Sequence, residues 1–267
     1  MRRSDLVVHP SGHEGWTINI TPESAGWHYV GFDVYELEPG ESAHHDTGDR
    51  EVCLVLIAGR ANIVAGGTDF GTVGERMSPF AGKPDSVYVP GGSSWKAAAE
   101  TKVTLAVCSA PSLRGGLPAR RIGPDQTSQE VRGKGSNTRY VTNILPENEP
   151  ADSLLVVEVI TPGGNTSSYP PHKHDRDALP EESLLEETYY HRLNPPQGFA
   201  FQRVYTDDRT LDETILIEDG NVTLVPRGYH PCATIHGYDL YYLNVMAGPK
   251  RIWKFHNAPE HAWLLKG

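Results

Sequence analysis

The chain has 267 residues, of which 24 are Lys or Arg and 34 are Asp or Glu, so its formal charge is −10. That charge opposes broad electrostatic attraction to nucleic acid or to an anionic membrane. No apolar run is long enough for a signal peptide or a membrane-spanning helix, so we expect a cytoplasmic protein. Three scattered cysteines without CxxC spacing are expected to be buried, inert thiols.

Short runs rich in Val, Ile, Leu, Tyr and Thr recur along the chain, nearly all bounded by Gly, Pro, Asp or Asn. In chain order they are HYVGFDVYEL, EVCLVLIAG, SVYVP, KVTLAVCS, LLVVEVITP, AFQRVYT, ETILI, NVTLVP and LYYLNVMAG. The tract ALPEESLLEETYY alone leans towards a helix, but Pro180 inside it and its aromatic end favour a strand. The pattern predicts an all-β fold, a sandwich or small barrel that is repeated.

The two halves of the chain carry matched landmarks, which indicates an internal repeat. Glu51 opens EVCLVLIAG, and Pro90 follows it by 39 residues in VYVPGGSSW. Glu187 opens ETYYHRL, and Pro226 follows it by the same 39 residues in TLVPRGYHP. Histidines precede each Glu, in PGESAHHD and YPPHKHD. We therefore predict a duplicated domain.

The second half contains a candidate metal-ligand set. His172 and His174 are two residues apart, which places both side chains on one face of a strand. Glu187 adds a carboxylate and His230, in PRGYHP, adds a third imidazole. This set suits zinc, manganese, iron(II), cobalt or nickel. The acidic insertion after His174 offers three rival carboxylates, those of Glu181, Glu182 and Glu186. We prefer Glu187, because it alone reproduces the 39-residue offset and leads directly into a strand.

The first half does not repeat this set. The same register places Ser94, a poor metal ligand, at the position of His230. His44 and His45 are adjacent, so a strand would point them to opposite faces. We predict an N-terminal domain over 1–120 that is degenerate and metal-free, a linker over 121–134, and a C-terminal domain over 135–267 that holds the metal.

The order HxH, Glu, PxGxH resembles the two signature motifs of the cupins, although cupins usually have only three or four residues between HxH and Glu. The resemblance implies a bicupin, two tandem jelly-roll-like β-barrels in one chain. A longer match resembles the uronate isomerase family of cupins. It is carried by YPPHKHD with EETYYHRL, FQRVYTDD, EVRGKGSNTRYV, and VPRGYHPC with GYDLYYLNVMAG.

That resemblance implies an enzyme, an intramolecular oxidoreductase with one divalent metal ion, most simply zinc or manganese. The implied reaction converts the aldose 5-deoxy-glucuronate to the ketose 2-deoxy-5-keto-gluconate in inositol catabolism, through an ene-diolate. A related branch, the 5-keto-4-deoxyuronate isomerases, shares the ligand set and stays an alternative.

Several side chains are candidates for the proton transfers that such a reaction needs. Tyr189 and His191 share the inward face of the strand after Glu187 if that strand is regular. Tyr229 adjoins His230, and either Tyr241 or Tyr242 lies on the following strand. Each aromatic could equally be a core residue of the barrel.

An acid substrate also needs a cation. Arg203, in FQRVY, is the preferred partner of a substrate carboxylate, because a guanidinium forms a bidentate pair. Arg132 and Arg139 are second choices, and for each a solvated linker charge is the alternative.

Two functions of other classes remain open at this stage. Cupin ligand sets also host iron or copper dioxygenases, which would consume oxygen. A non-catalytic sugar-binding bicupin is the other alternative, although it has little need of a complete ligand set. In either case the partner is a small molecule, and a homo-oligomer is possible.

Overall fold

A computed structural model describes residues 4–12 and 16–266. Across these residues the chain forms short strands joined by turns, which confirms the predicted all-β class. The strands are β1 Val7–Val8, β2 Trp16–Ile20, β3 Gly31–Leu37, β4 Ser42–Asp46, β5 Arg50–Ala58, β6 Ala61–Ala65, β7 Thr68–Val73, β8 Asp85–Val89, β9 Ser94–Ala99, β10 Val103–Pro111, β11 Arg120–Ile122, β12 Ser128–Arg132, β13 Arg139–Leu145, β14 Leu155–Thr161, β15 Thr166–Ser167, β16 His172–Lys173, β17 Asp175–Ala178, β18 Glu182–Leu184, β19 Glu186–Asn194, β20 Ala200–Tyr205, β21 Asp212–Ile217, β22 Val222–Val225, β23 Cys232–Thr234, β24 Asp239–Ala247 and β25 His256–Asn257.

Helices are short in the described part of the chain. One α-helical turn spans Pro22–Ala25, and three 3₁₀ helices span Pro124–Gln126, Gly135–Asn137 and Pro259–Lys266. None of these described helices has the length and apolar character that crossing a membrane requires. The tract with a helical leaning forms the β17–β18 hairpin and the start of β19 instead.

The described residues divide into two compact units. The C-terminal unit contains 4–9, 129–141 and 158–266, and the N-terminal unit contains the remainder. The units interleave along the chain, because 4–9 and 142–157 each belong with the other half. The predicted boundaries of the domains stay a prediction, and positions 1–3, 13–15 and 267 lie outside the described residues.

The N-terminal unit packs two antiparallel sheets face to face. One has the order β11-β8-β5-β10-β3-β2, and the other has the order β4-β9-β6-β7. Alternate residues of β5, namely Val52, Leu54 and Leu56, are buried against Ile63 and Trp95 of the second sheet. An apolar core therefore fills the interior of this unit.

In the C-terminal unit, β19 lies between β22 and β24, and a second sheet has the order β15-β23-β20-β21. Alternate residues of β19 again face one side, but here they are Glu187, Tyr189 and His191, and all three are buried. Burial of these polar side chains requires partners, because an unpaired buried polar group is costly. The partners are other polar side chains of the same unit, namely His174, Ser168 and Thr223.

The three cysteines, Cys53, Cys108 and Cys232, are free and buried, as predicted. Burial raises the pKa of the Cys53 and Cys232 thiols to about 12.

Candidate metal centre

Three buried side chains of the C-terminal unit converge on one point. His174 follows β16, Glu187 lies on β19, and His230 lies in the turn between β22 and β23. One ligand atom from each falls within 4.8 Å of the others. In residues 4–12 and 16–266 this is the only group of His, Cys, Asp or Glu whose geometry could hold a metal ion. The structure thus brings together three of the four predicted ligands.

Backbone carbonyls fix the orientation of both imidazoles. Nδ1 of His174 lies 3.0 Å from the carbonyl oxygen of Leu185, and Nδ1 of His230 lies 2.9 Å from that of Gly228. Each Nδ1 donates to a carbonyl, so each Nε2 is left facing Glu187. The Nε2 to Oε2 distances are 3.1 Å for His174 and 3.2 Å for His230. Such outer hydrogen bonds set the tautomer of metal-binding histidines.

The electrostatics of the two imidazoles differ. Burial lowers the pKa of His230 to about 3, which keeps this ring neutral. Burial also acts to lower the pKa of His174, but the hydrogen-bonded Glu187 carboxylate outweighs it and the pKa lies above its usual value. A divalent cation bound here would be ligated by both groups in place of the His174–Glu187 hydrogen bond.

The donor set fits a divalent ion. Nε2 of His230 is buried, and among the described residues no group hydrogen bonds to it. A neutral imidazole with its lone pair aimed at a buried carboxylate is a suitable ligand for zinc, manganese, iron(II), cobalt or nickel.

The fourth predicted ligand, His172, lies beside the group at its more exposed side. Its ring centroid is 5.0 Å from that of His230 and 6.4 Å from that of His174, and Phe255 packs on it at 4.7 Å. His172 is not one of the three residues whose ligand atoms converge. Its ligation of the ion stays a prediction.

The rival carboxylates face elsewhere. Glu181 is exposed, and Glu182 accepts two hydrogen bonds from the guanidinium of Arg176, at 2.9 and 2.7 Å. Glu186 precedes Glu187 on β19, so its side chain points to the opposite face of the sheet.

Beyond the ligands, the interior of the unit is lined by hydroxyl and imidazole groups. Tyr189 lies between His230 and Tyr242, with ring centroids 5.8 and 4.9 Å away, and stacks on His191 at 5.9 Å. Tyr241 points the other way and donates to Glu158 over 3.0 Å. The structure therefore brings three of the predicted catalytic candidates, Tyr189, His191 and Tyr242, to the interior beside the ligands.

Each of these side chains has a hydroxyl partner. Tyr189 Oη is 2.9 Å from Ser168 Oγ, Tyr242 Oη is 2.6 Å from Ser167 Oγ, and His191 Nε2 is 3.2 Å from Thr223 Oγ1.

Gln202 is a residue that the sequence reasoning missed. It is fully buried on β20 and donates from Nε2 to the carbonyl of His230 over 3.2 Å. Its Oε1 and Nδ1 of His191 are buried without a hydrogen bond of normal geometry among the described residues, but the Gln202 side chain interacts with the His191 ring and acts to raise its pKa. Its neighbour Arg203, the preferred carboxylate partner, points outwards and forms a bidentate pair with Asp212 at 2.7 Å for both bonds. The alternation of side chains along the strand FQRVY indicates that either Gln202 or Arg203 faces the interior, but the sequence does not determine which one.

Tyr229 also lies away from the ligands. It packs with Tyr205 and Ala258 and donates its hydroxyl to Asp207 over 2.8 Å. Because the adjacent His230 points inwards, Tyr229 must point to the opposite side.

Arg132 and Arg139 lie close to His172. Burial and the neighbouring His174 lower the pKa of His172 to about 3, and both guanidinium groups act in the same direction. Arg139 is also electrostatically coupled to Tyr242 in the interior, and burial lowers its own pKa. Arg132 donates to Glu130 over 2.6 Å.

Comparison with known proteins assigns the chain to a family, since the KduI/IolB family matches residues 6–264. The chain belongs to the KduI/IolB family. A relative from Geobacillus kaustophilus (strain HTA426), named 5-deoxy-glucuronate isomerase, is 54% identical over 100% of this chain and 96% of its own length. A solved structure of an IolB-like protein from Salmonella typhimurium LT2 is 53% identical, with a TM-score of 0.96, and covers 98% of this chain and 100% of its own.

Structures of Bacillus subtilis oxalate decarboxylase share the fold at greater distance. One, described for its Mn(II) centres, has a TM-score of 0.64 at 14% identity and covers 96% of this chain and 80% of its own. At that identity the likeness concerns the fold alone, and it agrees with the cupin-type architecture predicted from the motifs.

The N-terminal unit of this KduI/IolB chain differs from the prediction in one respect. The 39-residue offset places Glu51 at the position of Glu187. In the structure Glu187 pairs with Val225, but the corresponding Val89 pairs with Val52 and not with Glu51. The segment between the paired residues is one residue longer in the C-terminal half, so Glu51 faces the opposite side from Glu187. The equation of the two glutamates was wrong.

Glu51 is instead a structural carboxylate of the N-terminal unit. It is fully buried and accepts hydrogen bonds from Tyr88 Oη at 2.7 Å and from the N–H groups of Asp152, Ser153 and Leu154 at 2.7, 2.6 and 2.6 Å. With these four donors the carboxylate is satisfied.

His44 and His45 are both exposed, and His45 hydrogen bonds to Tyr35 Oη over 2.8 Å.

Proposed function

We propose that this chain is a metal-dependent isomerase that converts 5-deoxy-glucuronate to 2-deoxy-5-keto-gluconate. The observation that carries the proposal is the buried His174–Glu187–His230 group beside an interior lined by Tyr189 and Tyr242. The names of relatives that are 51–54% identical supply the substrate. The chemistry of the site supplies the reaction class, because moving hydrogen between adjacent carbons needs an acidified C–H bond and groups that hold protons.

His174, Glu187 and His230, with His172 as the fourth ligand, would hold one divalent ion, zinc or manganese. When bound there, the ion supplies Lewis-acid polarisation of the substrate's carbonyl and hydroxyl oxygens. The chain supplies the rigid geometry: two carbonyl-bonded imidazoles and one carboxylate, all buried.

The interior side chains would handle the protons. His191 is kept neutral, because burial lowers its pKa to about 3. The ring lies between Thr223 Oγ1 and the Gln202 side chain, and its unprotonated nitrogen would accept a proton from a substrate carbon or hydroxyl. Tyr189 and Tyr242, held by Ser168 and Ser167, would donate hydrogen bonds to substrate oxygens. A rigid polar wall of this kind orients a polyol without reorganising in the reaction.

Arg139 would bind the substrate carboxylate, whereas Arg132 beside it is already paired with Glu130. Arg139 is coupled both to Tyr242 inside the unit and to His172 next to the ligands. Arg203 is already engaged by Asp212, and a second carboxylate would have to displace that pair. We therefore prefer Arg139 to Arg203 as the partner of the substrate carboxylate.

The test is to incubate the zinc-loaded chain without oxygen with 5-deoxy-glucuronate and, separately, with 5-keto-4-deoxyuronate in D₂O, and to record NMR spectra. We expect turnover of the first substrate, with deuterium entering the product where the base exchanges with solvent. Turnover of the second substrate alone would assign the other branch. A requirement for oxygen would indicate a dioxygenase, and binding without turnover would indicate a sugar-binding protein.

A further inference from the structure

A charged cluster lies on the opposite face of the strand that carries the two histidines. Lys173, between His172 and His174, is buried, and its ammonium is 3.0 Å from Asp175 Oδ1 and 2.8 Å from Asp207 Oδ2. Glu182 Oε1 lies 3.9 Å away. Neither the ligand set nor the proton-transfer residues make use of this cluster, although it adjoins both ligand-bearing segments.

Asp175 connects this cluster to the third ligand. Its Oδ2 accepts the N–H of Gly228 over 2.8 Å, and the carbonyl of Gly228 accepts Nδ1–H of His230 over 2.9 Å. One carboxylate thus joins the segment HKHD to the turn PRGYHP through a hydrogen bond at each step. Asp207 shares Lys173 with Asp175, but its other bond is to the hydroxyl of Tyr229, on the outer side.

The turn at Gly228 is fixed in space. Its φ is +89°, and a Cβ at this position would lie 2.4 Å from the carbonyl oxygen of Tyr205, so only glycine fits. The next residue, Tyr229, exchanges two backbone hydrogen bonds with Tyr205, at 2.7 and 2.9 Å. The turn is therefore held from one side by Tyr205 and from the other by Asp175.

We propose that Asp175 is a positioning residue for the metal centre, acting through Gly228 on His230. By anchoring Gly228 it places the carbonyl that keeps the His230 proton on Nδ1 and directs Nε2 at the ion. It also sets the distance between the HxH segment and the third imidazole. The inference rests on the proposed function, in that it requires the ion to bind where the three ligands converge.

The experiment compares zinc affinity in Asp175→Ala and Asp207→Ala, measured by competition with a chromophoric chelator. Both variants remove one carboxylate from Lys173, but only the first removes the bond to Gly228. We expect zinc to bind Asp175→Ala about 10–100-fold more weakly, the range seen when outer partners of metal ligands are lost. For Asp207→Ala we expect less than about a threefold change, as for other exposed positions.

A second readout separates positioning from general destabilisation. The visible spectrum of the cobalt(II)-loaded chain reports the ligand field, so it should shift in Asp175→Ala and stay unchanged in Asp207→Ala. If Asp175→Ala does not fold, Asp175→Asn is compared with Asp207→Asn. The single amide oxygen of Asn cannot serve both Lys173 and Gly228, so a smaller loss in the same direction is expected.

Equal losses of zinc affinity in the two alanine variants would overturn the positioning role and assign the effect to the charged cluster. Unchanged affinity in Asp175→Ala, or in Asp175→Asn where that variant is used, would overturn it as well. If the unmodified chain binds no zinc or cobalt, the proposed metal site fails, and the positioning role fails with it.

Discussion

Replacing Glu187 by Gln removes the only negative charge among the three converging ligands while keeping the shape of the side chain. Without metal the loss in the free energy of unfolding is small, because the Gln amide can still hydrogen bond to Nε2 of His174. The difference between a charge-assisted and a neutral hydrogen bond is about 1 kcal/mol. The substitution has a much larger effect on the stabilisation of the folded chain by bound zinc. A ligand at 100 times its dissociation constant stabilises the folded state by about 2.7 kcal/mol.

For a chain of this size, 1 kcal/mol shifts the unfolding temperature by about 2–4 °C. Saturating zinc should therefore raise the unfolding temperature of the unmodified chain by roughly 5–10 °C. Glu187→Gln should show almost no zinc-dependent shift. The matched control is Glu186→Gln, the adjacent rival carboxylate on the opposite face of β19, which should keep the full shift.

Differential scanning fluorimetry with and without zinc measures both quantities. A zinc-dependent shift in Glu187→Gln equal to that of the unmodified chain would refute the assignment of this carboxylate. Loss of the shift in Glu186→Gln instead would mean that the insertion after His174 supplies a different ligand.

Three further predictions concern other regions of the chain. Partial burial raises the pKa of Asp33 to about 6, so the free energy of unfolding falls as pH rises from about 4 through 6. In urea unfolding, Asp33→Asn should therefore be about 1–2 kcal/mol more stable than the unmodified chain at pH 7 and no more stable at pH 4. A gain at pH 4 would contradict this sign. His44→Ala should leave the zinc content of the chain, measured by mass spectrometry, unchanged, whereas His174→Ala should abolish zinc binding. Loss of zinc in His44→Ala would mean that the N-terminal unit binds metal. Arg139→Lys should raise KM for 5-deoxy-glucuronate about 10–100-fold, since a hydrogen bond to a charged group contributes about 1.5–3 kcal/mol. Arg203→Lys should leave KM unchanged, and the reverse pattern would restore Arg203 as the carboxylate partner.

Three of the four predicted ligands converge in the fold, although the argument that selected Glu187 does not hold. The spacing of His172 and His174 correctly places both rings on one side of their strand, with Lys173 on the other. Glu187 was selected because its offset to Pro226 matches that of Glu51, but Glu51 faces the opposite side of its sheet. The counterpart of Glu187 in the first half is Val52, one residue after Glu51, and the connection to the following paired strand is one residue longer in the second half. These two differences cancel, so the offsets agree, and sequence alone does not reveal this.

The remaining site residues depended on the phase of each strand. On β20 the inward residue is Gln202, so Arg203 points to solvent, and next to His230 the side chain of Tyr229 must point outwards. A period of two predicts that neighbours alternate but not which neighbour faces the interior. The cluster around Lys173 was beyond sequence reasoning, because Asp207 and Gly228 meet Asp175 only in the folded chain.

The most direct test is to remove metal from the chain with a chelator and titrate zinc or manganese back, following conversion of 5-deoxy-glucuronate. We expect the metal-free chain to be inactive, and activity to rise linearly to a break at one ion per chain. Full activity without metal, or a break at two ions per chain, would contradict a single catalytic ion held by His174, Glu187 and His230.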